Sequence, residues 1–194
     1  MRYEAGHKEA TRERILKAAS QGFRKKGADG VAIADLMDEL KLTHGGFYRH
    51  FKNKQQLFIE ALKQALGEGK DFLKMATEDA PKGKELNGII EMYLSAEHCM
   101  DVQNGCPMAA LSAEVARQPK AVRMAFDQAI GKFISQVVPF VPGKSVKERE
   151  TKARVLFSGM VGTLTMARAI SDTAAREELL RSSREMYIQT FCNS

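Results

Sequence analysis

Thr43-His44-Gly45-Gly46-Phe47-Tyr48-Arg49-His50-Phe51-Lys52-Asn53-Lys54 is the stretch whose reading decides the fold. Two adjacent glycines stand near its start, an aromatic pair follows, and basic and imidazole side chains close it. An apolar-patterned segment, residues 31–42, leads into it, and a long amphipathic pattern starts at Gln55. Short helix, tight turn, short glycine-fronted helix and basic exit together outline a helix-turn-helix that reads DNA.

Working outward, Ile15, Leu16, Ala19 and Phe23 recur at helical spacing and predict a first helix stopped by Gly27 and Gly30. Leu36, Met37 and Leu40 carry a second, and Thr43 is placed to cap a third. Phe23, Leu36, Leu40, Leu42, Phe47 and Phe51 are the core candidates, with Phe47 and Phe51 sharing one face of the third helix. That leaves His44, Gly45 and Arg49 facing outward, flanked by Tyr48 and His50. The absence of side chains at Gly45 and Gly46 lets the helix start approach DNA closely, with free amides for phosphate or base edges. Arg49 suits a guanine edge, His44 a base or a phosphate, and Lys54 a phosphate at the start of the next helix.

Charge is distributed to match. Residues 1–54 hold 12 Lys and Arg against 7 Asp and Glu, whereas residues 55–194 hold 18 against 17. A basic head on a near-neutral body is the footprint of phosphate binding.

The run Gly45, Tyr48, His50, Phe51 and Lys54 resembles, position for position, the Gly-x-x-Tyr-x-His-Phe-x-x-Lys signature of the TetR (tetracycline-repressor-like) family of regulators. The resemblance is strong over residues 8–60. It implies that Tyr48, His50 and Lys54 bind backbone phosphates, and that the last two helices, about 145–170 and 173–191, build a dimer interface. Two departures stand out. Ala32 occupies the place of the family's capping Thr or Ser, and Leu40-Lys41-Leu42 replaces its Ala-Gly-Val turn. A second likeness, Asn104 to Glu114, is to a Gly-Cys-(Pro/Leu)…Ala-Ala-Glu stretch of one group of these regulators, some of which sense electrophiles.

The rest of the chain reads as helix throughout. Asn53 with Gln56, and Ser145 with Glu148, are capping boxes. The first opens a long helix through Leu66, and the second a helix to about Ile170; a last one runs from near Thr173 to Phe191. Leu86 to Met100 keeps helical spacing, and Pro81, Gly105–Pro107, Pro119 and Pro139–Gly143 interrupt. The expectation is an all-α chain of about nine helices: a helix-turn-helix domain at 1–53 and an effector-binding and dimerisation domain at 54–194.

Along the eighth helix Ser158, Gly159, Gly162 and Thr163 are small enough for close helix pairing, and Leu180, Tyr187 and Phe191 stripe the ninth. Either set serves a dimer or plain core. The ligand-lining candidates are Met92, Met100, Cys106, Met108, Phe126, Phe157 and Met160, with Met124, Phe133 and Met166 also available. Cys106, between Gly105 and Pro107, sits where a helix start would lower a thiol's pKa; Cys99 and Cys192 read as structural.

Nothing points to an enzyme: no nucleotide loop, metal spacing or triad-like constellation appears, and no cofactor is expected. Residues 1–14 hold no apolar leader, and the longest uncharged run, 155–167, is short of the ~20 apolar residues a membrane span needs. Three cysteines without an export signal fit a reducing cytoplasm. The sequence therefore predicts a dimeric repressor released from a palindromic DNA operator by a small apolar ligand or an electrophile. The alternative is an architectural DNA-binding protein with no sensor.

Overall fold

The computed structural model describes residues 2–78 and 80–192. Among these the chain forms eleven α-helices and no strand. The head holds α1 (Arg2–Lys26), α2 (Ile33–Glu39) and α3 (His44–Phe47). The body holds α4 (Lys54–Gly67), α5 (Gly69–Glu78), α6 (Glu85–Tyr93), α7 (Ala96–Met100), α8 (Pro107–Val115), α9 (Lys120–Val137), α10 (Val146–Ala169) and α11 (Thr173–Phe191), with a 3-10 turn at Val138–Phe140.

Eleven replaces the expected nine for two local reasons. A separate α5 follows α4 after a turn at Glu68, where the flanking Gly67 and Gly69 have weak helix propensity. The segment read as one helix from Leu86 to Met100 divides at Leu94 because Ser95 turns extended and starts a fresh helix, its hydroxyl accepting from the His98 amide at 3.1 Å. A third difference is in α3, where regular helix stops after one turn. Arg49 and His50 then bond three residues back, to Gly46 and Phe47, as the weak helix propensity of two glycines allows.

The head closes on Phe23, Leu36, Phe47 and Phe51, all buried, with Leu40 and Leu42 partly covered. Phe47 and Phe51 stack at 5.6 Å. Phe58 of α4 meets the Phe23 ring edge-on at 4.9 Å, so the head's core draws on residues beyond 53. α4 therefore belongs to both halves, packing on α1 at one side and α9 at the other. The two sequence departures have structural answers. Lys41 sits in the left-handed region (φ 56°), and the amides of Lys41 and Leu42 close α2 by bonding Asp38 and Met37, both at 2.9 Å. Ala32 stands at the N-cap of α2 with no side-chain cap.

Asn53 and Ser145 cap as read, accepting from Gln56 and Glu148 amides at 2.9 and 3.1 Å. The return bonds from Gln56 and Glu148 go one residue earlier than in the standard box, to the amides of Lys52 and Lys144. Thr43 is the N-cap residue of α3, but its side chain makes no cap bond.

α10 and α11 pack along each other. Leu180 is buried, and the Tyr187 hydroxyl lies 3.1 Å from Thr163 Oγ1 and against Gly159. The Tyr187 stripe, together with Gly159 and Thr163, is thus occupied within one chain. Ser158 and Gly162 point elsewhere, on an exposed line of α10 with Val155 and Met166.

Candidate nucleic-acid interface and body cavity

The expected outward face of the head is exposed. Thr43, His44, Gly45, Tyr48 and Arg49 are open to solvent, Gly46, His50 and Lys54 partly so. Tyr48 is 58 % exposed although it is aromatic, held by edge contacts to His44 and Phe47 at 5.8 and 5.2 Å. Added bulk at Gly45 would meet nothing within 4 Å, which leaves that surface free for an approaching partner.

Sequence reading missed the other wall of this surface. The first half of α1 brings His7, Lys8 and Thr11 against Thr43, Gly46, Arg49 and His50, framing a shallow groove. Arg12 holds Glu60 and lies 4.8 Å over the Phe51 ring. Partial burial, then the positive charges of Lys8 and Arg12, lower the His50 pKa. Its buried Nδ1 has no partner. Cations gathered round an unsatisfied imidazole favour an anion arriving there. The periodicity of the head never placed α1's start beside α3, so no local signal marked Lys8 or Thr11.

In the body, a cavity of about 460 Å³, counting its open mouth, lies between α4, α5, α6, α9 and the α7–α8 loop. Ala65, Leu66, Glu68, Gly69 and Phe72 form one side, Tyr93, His98 and Phe133 the others, and Asn104, Gly105, Cys106, Pro107 and Met108 the rim. Of the predicted ligand residues it gathers Cys106 and Met108, with Phe133. Phe157 stands behind the wall, its ring 4.7 Å from Phe133 and 5.9 Å from Tyr93. Phe126 and Met160 are buried core that does not reach the wall. Met92 lies in a separate groove with Met75 and Pro81. Met100, Met124 and Met166 are 63, 51 and 62 % exposed. Restarting the helix at Ser95 resets the phase, which turns Met100 outward.

His98 organises the rim. Its Nδ1–H donates to the Tyr93 carbonyl at 2.6 Å, and its Nε2 accepts from the Cys106 amide at 3.1 Å. Burial lowers its pKa, with the nearby Arg168 guanidinium adding to the effect, so the ring is held neutral. Arg168 in turn binds the Cys99 and His98 carbonyls at 3.0 and 3.1 Å.

Cys106 is the N-cap of α8 with Pro107 in the first turn. The expected lowering of its pKa is overturned. Burial pushes the thiol up from its ordinary value, outweighing the Tyr93 hydroxyl and the Ala109 and Met108 amides, which pull the other way. Tyr93 itself is buried with its hydroxyl against the Cys106 thiol, and burial pushes its phenol well up. Cys99 is buried and Cys192 half-buried, both free.

Head and body are tied through the same rim. Gln21 Nε2 donates to Asn104 Oδ1 at 2.8 Å. Arg24, 4 % exposed, donates through Nη1 to Glu68 Oε2 at 3.0 Å and to the Gly105 carbonyl at 3.2 Å. Both Glu114 oxygens accept from the Ala28 amide, at 2.8 and 3.0 Å. Three of these contacts end on cavity-lining residues.

Comparison with known proteins places this geometry. Residues 15–61 match the family described as bacterial regulatory proteins, tetR family. An uncharacterized HTH-type transcriptional regulator from the lacX 3′ region of Lactococcus lactis is 24 % identical over 184 residues, covering 90 % of this chain and 93 % of that protein. A Mycobacterium tuberculosis HTH-type regulator is 30 % identical over 115 residues, 59 % of this chain and 58 % of that one. The reduced form of Escherichia coli NemR superposes with a TM-score of 0.77 at 19 % identity, covering 94 % of this chain and 97 % of that one. Among the described residues no helix is long and apolar enough to cross a membrane.

Proposed function

Because the chain belongs to the TetR family of bacterial transcriptional regulators, whose helix-turn-helix binds DNA, we propose that it is a homodimeric repressor released from a palindromic operator by a small apolar effector. The observation that carries this reading is the exposed Tyr48, Arg49 and Gly45 surface raised on buried Phe47 and Phe51. Tyr48, His50 and Lys54 serve the phosphates, Arg49 reads a base edge, and Thr43, His44, Gly45 and Gly46 meet phosphate or base edges at the helix start. The head is residues 1–53 and the effector and dimer domain 54–194, with α4 shared between them.

Pairing of two copies falls to the outer line of α10 and α11, where Val155, Met166 and Met186 are 58, 62 and 60 % exposed. Ser158 and Gly162 on that line leave room for a neighbouring helix. The cavity supports a sensor over a purely architectural role. Filling it displaces the rim that Gln21 and Arg24 hold, and with it the head. The electrophile route through Cys106 has less behind it, since the buried thiol is held protonated.

Gel-shift assays on the DNA flanking its own gene test the reading. Affinity falls steeply with salt, by roughly 10³-fold or more between 50 and 200 mM for a dimer with six or more phosphate contacts. Arg49→Ala relaxes base preference, and Lys54→Ala weakens all duplexes alike. Salt-insensitive binding, or equal affinity for random duplex, rejects it.

A further inference from the structure

The cavity has one charged residue in its lining, and that residue is also the partner of the head's buried arginine. Glu68 lies at the α4–α5 joint with its side chain 43 % exposed, while the Arg24 side chain is 2 % exposed. The same Glu68 side chain therefore meets a buried guanidinium and lines the cavity while remaining open to solvent. Only Oε2 is taken by Arg24, and Oε1 has no hydrogen-bond donor among the described residues. Deeper in, Phe72, Tyr93 and Phe133 line the walls, with Phe72 and Tyr93 edge-on at 6.0 Å. His98, the other ionisable side chain of the wall besides Tyr93 and Cys106, uses both ring nitrogens on backbone groups and offers a ligand neither.

We propose that the effector is a small organic cation with an apolar body, its ammonium group bound by Glu68 and the aromatic walls, and that it acts by taking Glu68 from Arg24. This deepens the sensor reading above and rests on it only for the last step, release of DNA. Aromatic faces carry negative potential and attract cations, most strongly where water is thin. A carboxylate at the mouth repels an anion and gives a neutral molecule no charge partner. The apolar remainder of the ligand fits against Leu66, Met108 and Phe133.

Coupling follows from what Arg24 loses. Its Nε is already buried without a partner, and Ser20 beside it is unpaired too. Once Glu68 turns to the ligand, one carbonyl, that of Gly105, remains to hold a buried guanidinium. A buried charge stripped of its partner is strongly unfavourable, so the end of α1 moves outward with Arg24 and carries the head.

The test needs no DNA, so its failure leaves the regulator reading standing, and an absent operator leaves this test intact. Isothermal titration of the full chain at pH 7.5 compares three probes of matched size: 2-phenylethylamine, 2-phenylethanol and phenylacetate. Benzyltrimethylammonium is added as a cation that cannot donate hydrogen bonds. The expected result is binding of at least one cation tenfold or more tighter than the alcohol, with phenylacetate weakest. Glu68→Gln removes the preference for the cations, while Glu68→Asp keeps part of it. Arg24→Met, which frees Glu68 from its competitor, tightens cation binding. In the wild type the amine speeds hydrogen exchange at residues 20–28, and in Arg24→Met it does not. Equal affinity for amine and alcohol, a preference that survives Glu68→Gln, weaker cation binding in Arg24→Met, or no heat from any probe overturns the proposal.

Discussion

The reading surface of the head and the cavity of the body are built on opposite plans. The surface comes from twelve consecutive residues, 43–54, with α1 laid beside them, and its critical glycine faces open space. The cavity draws its walls from residues distant in sequence, between Ala65 and Phe133, and the critical glycine of its rim is wedged. A Cβ on Gly105 would lie 2.5 Å from the Asp101 carbonyl and 2.6 Å from Arg168 Nη2. At these two positions glycine gives access in the head and closeness in the body, so the same substitution has opposite consequences in the two places.

Gly105→Ala is the largest expected effect, a loss of about 1–3 kcal/mol as the rim is forced off Asp101 and Arg168, read by chemical denaturation. An unchanged midpoint would mean the rim is loose, and the contrast with the head would fail. Next is Lys41→Gly, which relieves the left-handed backbone and stabilises the chain by roughly 0.5–1 kcal/mol; Lys41→Val at the same site destabilises it. Gly45→Ala is smaller again and mixed in sign. Stability rises by about 0.5 kcal/mol because alanine favours helix, yet DNA affinity drops because the methyl group stands on the contact surface. Stability and affinity moving together at this position would place the reading surface elsewhere.

The most gradual effect is that of acid on the rim. His98 in the folded chain titrates below its ordinary value near 6.5, so the unfolded chain binds more protons as pH falls. The stability tied to neutral His98 is present above that value and is lost as pH drops through it. Protonated Nε2 can no longer accept from the Cys106 amide. Thermal midpoints from pH 7.5 to 5.5 should slope downward, and His98→Gln should flatten the slope; an unaltered slope would mean His98 does not hold the rim.

The same contrast explains what the sequence disclosed. The helix-turn-helix was legible because the buried pair Phe47 and Phe51, the outward Gly45, Tyr48 and Arg49 and the basic exit at Lys54 fall within twelve residues and need no knowledge of distant partners. Asn53, Ser145 and Thr173 marked helix starts for the same reason. The cavity was not legible. Methionines were read as a lining by type, but Met100 turned outward when Ser95 restarted the helix, and Tyr187 turned inward onto Thr163. Glu68, Phe72 and Tyr93 looked like ordinary helix residues until tertiary packing brought them together. Cys106 was placed correctly at its helix start and assigned the wrong consequence, because its burial comes from tertiary packing that no local pattern names.

α4 sets the gearing between the two regions. It starts at Lys54 beside the reading turn and ends at Gly67 beside the cavity mouth, fourteen residues in all. At 1.5 Å per residue that is a rod of about 21 Å. Hinged at its Gly67 end, a tilt of about 10° moves a side chain one turn away by about 1 Å and moves Lys54 by about 3–4 Å. In the proposed dimer, two such rods swinging in opposite directions would change the head separation by about 7 Å, against a half-site spacing of ~34–36 Å. With that mechanical advantage, the proposed effector would need only a few carbon atoms to put the two heads of the proposed dimer out of step with one turn of DNA.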